Sequence, residues 1–153
     1  MNAGTRVPAL KPENLGDASF RRDHRVRYAY VAGAMANGIA STRLVAEMAR
    51  AGMLSFFGAA GLGLDRIEAA IDELAGAIPG APYGFNLIHS PNEPDLEAQV
   101  VDLYLRRGIR LVEASAYLRL TLPVVRYRVS GIKRDAEGRV LAPNRIVAKV
   151  SRV

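Results

Sequence analysis

Short apolar runs rich in β-prone residues recur along this chain of 153 residues, and helical patterns separate most of them. The runs centre near residues 31, 56, 86, 112 and 148. This separation of roughly 25 to 35 residues is typical of βαβ units in a parallel sheet. The chain is therefore predicted to be an α/β protein.

Hydrophobic periodicity and turn residues set the bounds of the predicted elements. Strands are predicted at Tyr28–Ala34, Met53–Gly58, Tyr83–Ile88, Ile109–Ala114 and Ile146–Val150. Helices are predicted from Ser41 to Arg50, from Leu64 to Ile78, around Leu96–Tyr104 and over Thr121–Arg128, with a polar hairpin turn around Gly138. Residues 1–26 are expected to form an irregular lead-in, because Pro8 and Pro12 oppose regular structure.

Two architectures fit this order of elements. One is an open, doubly wound sheet with helices on both faces. The other is part of a (β/α)₈ barrel, which typically needs about 250 residues. The length favours the open sheet, whereas a final strand with no helix after it favours a barrel that is cut short after its fifth strand.

The absence of cysteine excludes several kinds of site. A disulfide framework, a thiolate zinc site, an iron–sulfur cluster and a cysteine nucleophile all need that residue, and no metal site is expected. Residues 1–15 lack the apolar run of a signal peptide, and no later stretch approaches the roughly 20 apolar residues of a membrane span. A cytoplasmic protein without a membrane partner is therefore expected.

The formal net charge of +6 raises the question of nucleic-acid binding. Residues 106–153 contain 12 Lys or Arg but only 3 Asp or Glu, whereas residues 29–105 contain 3 and 9. The basic residues are spread over several predicted elements with few aromatic residues among them. A solvated, arginine-rich face is the better interpretation, and no nucleic-acid partner is expected.

A glycine-rich segment, Gly58–Gly63, joins a predicted strand to a predicted helix, where a phosphate group could bind. Its order is G-x-x-G-x-G, whereas dinucleotide-binding units carry G-x-G-x-x-G. The acidic residue expected about 20 positions later is also missing, since the next strand ends with Asn86 and His89. A close strand-to-helix turn needs these glycines equally, and a Rossmann-like module remains an alternative.

Small residues follow the first predicted strand, in the segment Gly33–Ala40. Parallel α/β proteins bind ligands at the carboxyl ends of their strands, and small residues let a flat ring lie against the backbone. Asn37, Asn86 and His89 fall at corresponding strand ends. An amide offers both a donor and an acceptor, which suits the imide edge of a flavin or a nucleobase.

Five segments together carry a resemblance to a known family. They are RYAYVAGAMANGIA at 27–40, FGAAGL at 57–62, PYGFNLIHSPNE at 82–93, VEASAY at 112–117 and NRIVAKVSR at 144–152. The chain resembles the flavin-dependent enoyl reductase subunit of polyunsaturated fatty acid synthases. It is similar, too, to the trans-acting enoyl reductases of polyketide synthases, and both groups are nitronate monooxygenase-like FMN barrels.

The resemblance implies a (β/α)₈ barrel that binds FMN and uses NADPH to reduce an enoyl group on an acyl carrier protein. This chain would supply about five βα units, with the partial FMN-binding barrel over residues 27–153. Other synthase subunits are implied partners, and a homo-oligomer is a further expectation. The family's strands six to eight, with their phosphate loops, are absent, so the piece alone is expected to be inactive.

The resemblance also implies the site residues. Those expected to bind FMN are Gly33, Ala34, Met35, Ala36, Asn37, Gly38, Asn86 and Lys149. A cation such as Lys149 near the flavin N1–C2=O edge would stabilise the anionic reduced ring. His89 and Glu113 are the candidate catalytic residues: His89 as a proton donor, and Glu113 either facing the flavin or pairing with Lys149.

Each of these assignments also has a purely structural, non-catalytic alternative. His89 also fits a hydrogen-bonded structural histidine before a proline turn. The chain as a whole also fits a non-catalytic half-barrel, or a truncated product, that needs a partner chain to cover its exposed strand edge.

Overall fold

A computed structural model of the protein describes residues 9–150. After a 3₁₀ turn at Pro12–Asn14, the helices are α1 (Ala18–His24), α2 (Thr42–Arg50), α3 (Leu64–Ala77), α4 (Pro94–Arg106) and α5 (Leu122–Val129). The strands are β1 (Val31–Ala32), β2 (Leu54–Phe57), β3 (Gly84–Ile88), β4 (Leu111–Ser115), β5 (Lys133–Arg134), β6 (Val140–Leu141) and β7 (Arg145–Lys149).

Five of the strands form one parallel sheet in the order β1-β2-β3-β4-β7. The order in space follows the order along the chain, so the sheet has no point at which the strand order reverses. An open doubly wound sheet has such a point, whereas a barrel does not. The α/β prediction is confirmed, and the sheet is that of the N-terminal part of a (β/α)₈ barrel.

The two faces of the sheet pack differently. Phe85, Leu87 and Val112 point outward, into the core that α2 to α5 build with Ile67, Leu74, Tyr104 and Tyr127, among others. Their neighbours along the strands point inward, as the period of two requires. Leu54, Phe56 and Leu111 form a smaller inner cluster with Val26 and Ala34, against which Phe20 of α1 packs.

Two of the predicted helices, α2 and α5, have side-chain N-caps at the predicted residues. The Ser41 hydroxyl accepts a hydrogen bond from the Leu44 N–H (3.2 Å), and the Thr121 hydroxyl accepts one from the Val124 N–H (3.5 Å). Each bond satisfies a backbone donor that the first helical turn leaves free. A different helix, α4, ends just before Gly108, which adopts φ +68° and stops the helix.

The predicted hairpin is confirmed, because β5 and β6 pair antiparallel around the turn that contains Gly138. Two expectations are wrong. Tyr28–Ala34 does not form one long strand, since only Val31 and Ala32 pair with β2 at the edge of the sheet. The lead-in is not irregular throughout, because Asp17 caps α1 by accepting a hydrogen bond from the Ser19 N–H (2.7 Å).

The first eight residues of the expected lead-in and the last three residues of the chain lie outside the described residues. The domain boundary at residues 26 and 27 stays a prediction. Between residues 9 and 150, none of the helices combines the length and the apolar character needed to cross a membrane.

Candidate functional site

The turn after β1 is bound to the loop after β2 by three backbone hydrogen bonds. The Asn37 N–H donates to the Ala60 carbonyl (2.7 Å), and the Gly38 N–H donates to the Gly58 carbonyl (2.9 Å). The Gly58 N–H donates back to the Ala40 carbonyl (2.9 Å). The segment Gly33–Ala40 is thus held by its neighbour in the sheet.

The glycines of the second loop make this close approach possible. A Cβ atom on Gly58 would lie 1.7 Å from the Met35 carbonyl oxygen, and one on Gly61 would lie 2.2 Å from the Asn37 Oδ1. Gly61 also has φ +79°. The glycine-rich segment therefore has a packing role, which agrees with the interpretation of Gly58–Gly63 as a close strand-to-helix turn.

The first turn presents small residues and exposed backbone at the carboxyl end of the sheet. Asn37 and Gly38 both have left-handed backbones, with φ +56° and +73°. Asparagine and glycine tolerate this conformation better than other residues. Met35 is 44% exposed, so the surface that it lines is accessible to a ligand.

Glu113 is the middle residue of β4, lies on the inner face and is almost fully buried. Its Oε2 accepts a hydrogen bond from the Ala34 N–H (2.8 Å) and lies 3.9 Å from the Lys149 Nζ. The Lys149 ammonium in turn donates to the Ala34 carbonyl (2.9 Å). The expected pairing of Glu113 with Lys149 is present, and both side chains also bond to the backbone of Ala34 in the turn after β1.

Asn86 is the neighbour of Glu113 in the register of β3 and β4. Its Nδ2 donates to the Glu113 carbonyl (3.1 Å) and to the Ser115 Oγ (2.9 Å), which fixes the orientation of the amide. None of the hydrogen bonds within residues 9–150 uses the Asn86 Oδ1. This oxygen is therefore left as an acceptor for a ligand.

His89 follows β3 but belongs to a second cluster, outside the inner face. Its Nδ1 lies 2.9 Å from the Oε2 of Glu97 in the first turn of α4, and its ring stacks on Tyr117. The other oxygen, Oε1, accepts hydrogen bonds from the Tyr117 hydroxyl (2.9 Å) and the Thr121 hydroxyl (2.6 Å). A neutral His89 with its proton on Nδ1 would donate to Glu97 and leave Nε2 free.

Glu97 is the member of this cluster that the sequence analysis missed. Burial by itself raises its pKa, but the hydrogen bonds from Thr121, His89 and Tyr117 outweigh burial, so the pKa lies below its ordinary value. Burial raises the pKa of Tyr117, and its hydrogen bond to Glu97 raises it further. The signal was available, since Glu97 shares a helix face with Val100, Val101 and Tyr104.

The predicted site residues thus fall into two groups. Ala34, Asn86, Glu113 and Lys149 are linked by hydrogen bonds, and Gly33 and the turn over Met35, Ala36, Asn37 and Gly38 adjoin them. His89 is linked to this group by a hydrogen bond from its backbone N–H to the Ser115 carbonyl (3.0 Å). Among residues 9–150, no three His, Asp or Glu side chains are grouped so that they could hold a metal ion.

No family model matches the chain. The chain is 45% identical over 144 residues to the polyketide biosynthesis protein PksE of Bacillus subtilis, which is 94% of this chain and 19% of that protein. It is 47% identical over 139 residues to a subunit of the polyunsaturated fatty acid synthase of a Thraustochytrium species, which is 91% of this chain and 9% of that relative.

A solved structure gives the same result. The enoyl reductase domain of MlnA, from the macrolactin biosynthesis cluster of Bacillus amyloliquefaciens, matches with a TM-score of 0.86 and 42% identity, over 91% of this chain and 32% of that chain. The chain therefore spans less than one fifth of these curated relatives and about one third of the solved domain. The resemblance to the enoyl reductases of polyunsaturated fatty acid and polyketide synthases is confirmed.

Proposed function

Because the chain is related to the N-terminal portion of the enoyl reductases of polyunsaturated fatty acid and polyketide synthases, we propose that it forms part of an FMN-dependent reductase. The reductase would use NADPH to reduce the double bond of an enoyl group carried by an acyl carrier protein. The main support is the connected group of Ala34, Asn86, Glu113 and Lys149 at the carboxyl end of the sheet, where barrels bind their ligands.

The residues of this group fit a flavin. The free Asn86 Oδ1 is an acceptor suited to the N3–H of the isoalloxazine ring. The small residues at Gly33–Gly38 leave room for a flat ring, and Lys149 is a half-exposed cation that could meet a developing negative charge. FMN, when bound, would carry reducing equivalents from NADPH to the enoyl group.

Glu113 would act in this site as a positioning residue. Its carboxylate is engaged by the Ala34 N–H and faces the Lys149 ammonium, so it orients the turn and the cation. His89 is proposed as a proton donor to the substrate: Glu97 accepts from its Nδ1–H, and the doubly protonated ring would donate its second proton from Nε2. In a hydrogen-bonded structural role, the same contact would anchor the end of β3 to α4.

Partners follow from the same proposal. An acyl carrier protein would deliver the substrate, and other subunits of a synthase would surround the enzyme. The fatty acid synthase relative is itself one subunit among several, which supports an assembly of several proteins.

A second candidate is a half-barrel that needs a partner chain. Within residues 9–150, β7 pairs only with β4, so one edge of the last strand is open. An open parallel edge is a template for pairing with further strands. A homo-oligomer or another polypeptide would then complete the sheet. The Rossmann-like alternative gains no support, because the strand order never reverses.

The test is to purify the protein, in the longest form that its gene encodes, after expression with added FMN. We expect flavin absorbance to co-elute with the protein, and NADPH to be consumed when a short enoyl thioester is added. A folded protein that retains no flavin would contradict the cofactor assignment. Sedimentation would show the second candidate directly, since pairing of two half-barrels doubles the mass.

A further inference from the structure

A cavity lies at the opposite end of the sheet from Asn86 and Lys149. It has a volume of about 260 Å³ and is lined by Arg25, which follows α1, by Arg110, which precedes β4, and by Arg145, which begins β7. Tyr83 and the two turns at residues 80–82 and 108–109 complete its wall. We call it the arginine cavity.

Between residues 9 and 150, acidic side chains do not neutralise the positive charge of the arginine cavity. None of its lining residues carries a carboxylate. Within residues 9–150, no carboxylate oxygen lies within 4.0 Å of a nitrogen of Arg25, Arg110 or Arg145. By contrast, Arg107 pairs with both Glu68 and Asp72 on the outer surface.

Two of the three guanidinium groups are held by neutral oxygen atoms. The Arg145 Nη1 donates to the Asp23 carbonyl (2.6 Å), and the Arg110 Nη1 donates to the Asn144 Oδ1 (2.9 Å). Asn144 is fully buried, and its Nδ2 donates to the carbonyls of Tyr127 (2.8 Å) and Ser130 (2.9 Å). Arg110 is therefore positioned before any ligand arrives, which lowers the entropic cost of binding.

The positive charge of the cavity affects the pKa of the neighbouring His24. Burial lowers the pKa of His24, and the charge of Arg145 lowers it further. Unpaired guanidinium groups grouped around an open cavity are well suited to an anion. Their planar forks donate two parallel hydrogen bonds to phosphate oxygens.

We propose that the arginine cavity binds the phosphate group of a small ligand. Its volume is below the roughly 300 to 1,000 Å³ of pockets that enclose whole drug-sized molecules, so it suits a phosphate or diphosphate group. The cavity lies at the amino ends of β3, β4 and β7, whereas the group proposed to bind FMN lies at the carboxyl ends. The proposal therefore stands independently of the proposed reductase activity.

Calorimetric titration of the full chain with sodium pyrophosphate, at constant ionic strength, tests the proposal. We expect saturable binding of one ligand per chain. Arg25→Gln and Arg110→Gln should each weaken binding about tenfold, because each removes a charge-assisted hydrogen bond. Arg106→Gln is the matched control, since it makes the same change on exposed α4 outside the cavity, and it should alter the affinity less than twofold.

Absence of saturable heat, or equal weakening by the Arg106 control, would overturn the proposal. Arg110→Gln disturbs the contact with buried Asn144, so its fold is checked by circular dichroism. If Arg110→Gln unfolds, the Arg25→Gln variant still tests the proposal. The Arg25 side chain is exposed and makes no ion pair within residues 9–150, so its replacement should not disturb the fold.

Two further titrations identify the source of the phosphate, with orthophosphate and with adenosine monophosphate. Tighter binding of the nucleotide would assign the cavity to a phosphorylated organic ligand. Equal or weaker binding of the nucleotide would assign it to inorganic phosphate or diphosphate. Both results keep the proposal, provided that the Arg25 variant weakens the binding observed.

Discussion

The ammonium group of Lys149 donates a hydrogen bond to the carbonyl of Ala34, 2.9 Å away, although 115 residues separate them. Lys149 ends the last strand of the parallel sheet and Ala34 follows the first, with three strands in between. Their contact requires the sheet to curl so that its edges approach each other. The curvature of a barrel is thus present in five strands.

Lys149→Met should lower the free energy of unfolding by about 1 kcal/mol. The methionine keeps an apolar stem but loses the bond to Ala34 and leaves buried Glu113 without its cation. The effect is modest because half of the Lys149 side chain is exposed and solvent screens its charge. Urea denaturation measures it, with Lys133→Met in the exposed hairpin as control. Equal effects of both variants would contradict the structural role of Lys149.

Gly58→Ala should destabilise the protein by about 3 kcal/mol, because the new Cβ would overlap the Met35 carbonyl at 1.7 Å and force the two loops apart. Gly76→Ala is the matched control in α3, where nothing lies within 4 Å of an added Cβ. It should stabilise the protein by about 0.5 to 1 kcal/mol, since alanine is the better helix former. Thermal unfolding of both variants gives the comparison, and a tolerated Gly58→Ala would show that the loops separate easily.

The buried carboxylate of Glu97 should make stability depend on acid pH. Its pKa is lowered in the folded protein, from an ordinary value of 4.5, so the unfolded chain takes up the proton first as pH falls. The stabilisation is complete above about pH 4.5 and is lost as the pH falls through the folded pKa.

The Glu97→Gln variant tests this dependence. Unfolding free energies measured between pH 6 and pH 3 should show a smaller slope in this variant than in the unchanged protein, because glutamine does not titrate. Glu47→Gln, at an exposed position of α2, should keep the original slope. A slope that Glu97→Gln leaves unchanged would assign the acid sensitivity to other carboxylates.

For the proposed FMN site, in the longest form that the gene encodes, we expect Asn86→Asp to reduce the amount of flavin retained on purification about tenfold or more. Aspartate keeps an acceptor for the N3–H of the ring but lacks the N–H donors that hold the side chain to the Glu113 carbonyl and the Ser115 hydroxyl. Repulsion from that carbonyl would turn the acceptor away from the ring. Absorbance per protein measures the effect, with circular dichroism as a check of folding. Asn92→Asp makes the same change on the exposed loop before α4 and should retain flavin normally.

The helices and inner strands were predictable because their signals are local. Ser41 and Thr121 precede apolar stripes of helical period, and each does cap its helix. The run around Phe85 does not alternate between apolar and exposed polar residues, because both faces of this strand are buried. The first strand was predicted too long, since Tyr28 and Tyr30 are β-prone, yet pairing at the sheet edge extends only over Val31 and Ala32.

The candidate site was predictable only in part. The polar residues at strand ends could be placed at one edge because parallel strands share their direction. Glu97 lies on the apolar face of its helix, but the three donors that satisfy its buried carboxylate, His89, Tyr117 and Thr121, come from separate parts of the chain and could not be assigned to it from sequence. Ala34 could not be recognised as a partner of Lys149 before the curl of the sheet was known.

Ser115 is bonded on two sides, with its hydroxyl accepting from Asn86 and its carbonyl accepting from the His89 backbone. The end of one strand is thereby a shared tether for an amide that faces inward and an imidazole that faces outward. A substitution that displaces this strand end would misalign both at once. Any change of backbone position at Ser115 is therefore felt by both groups.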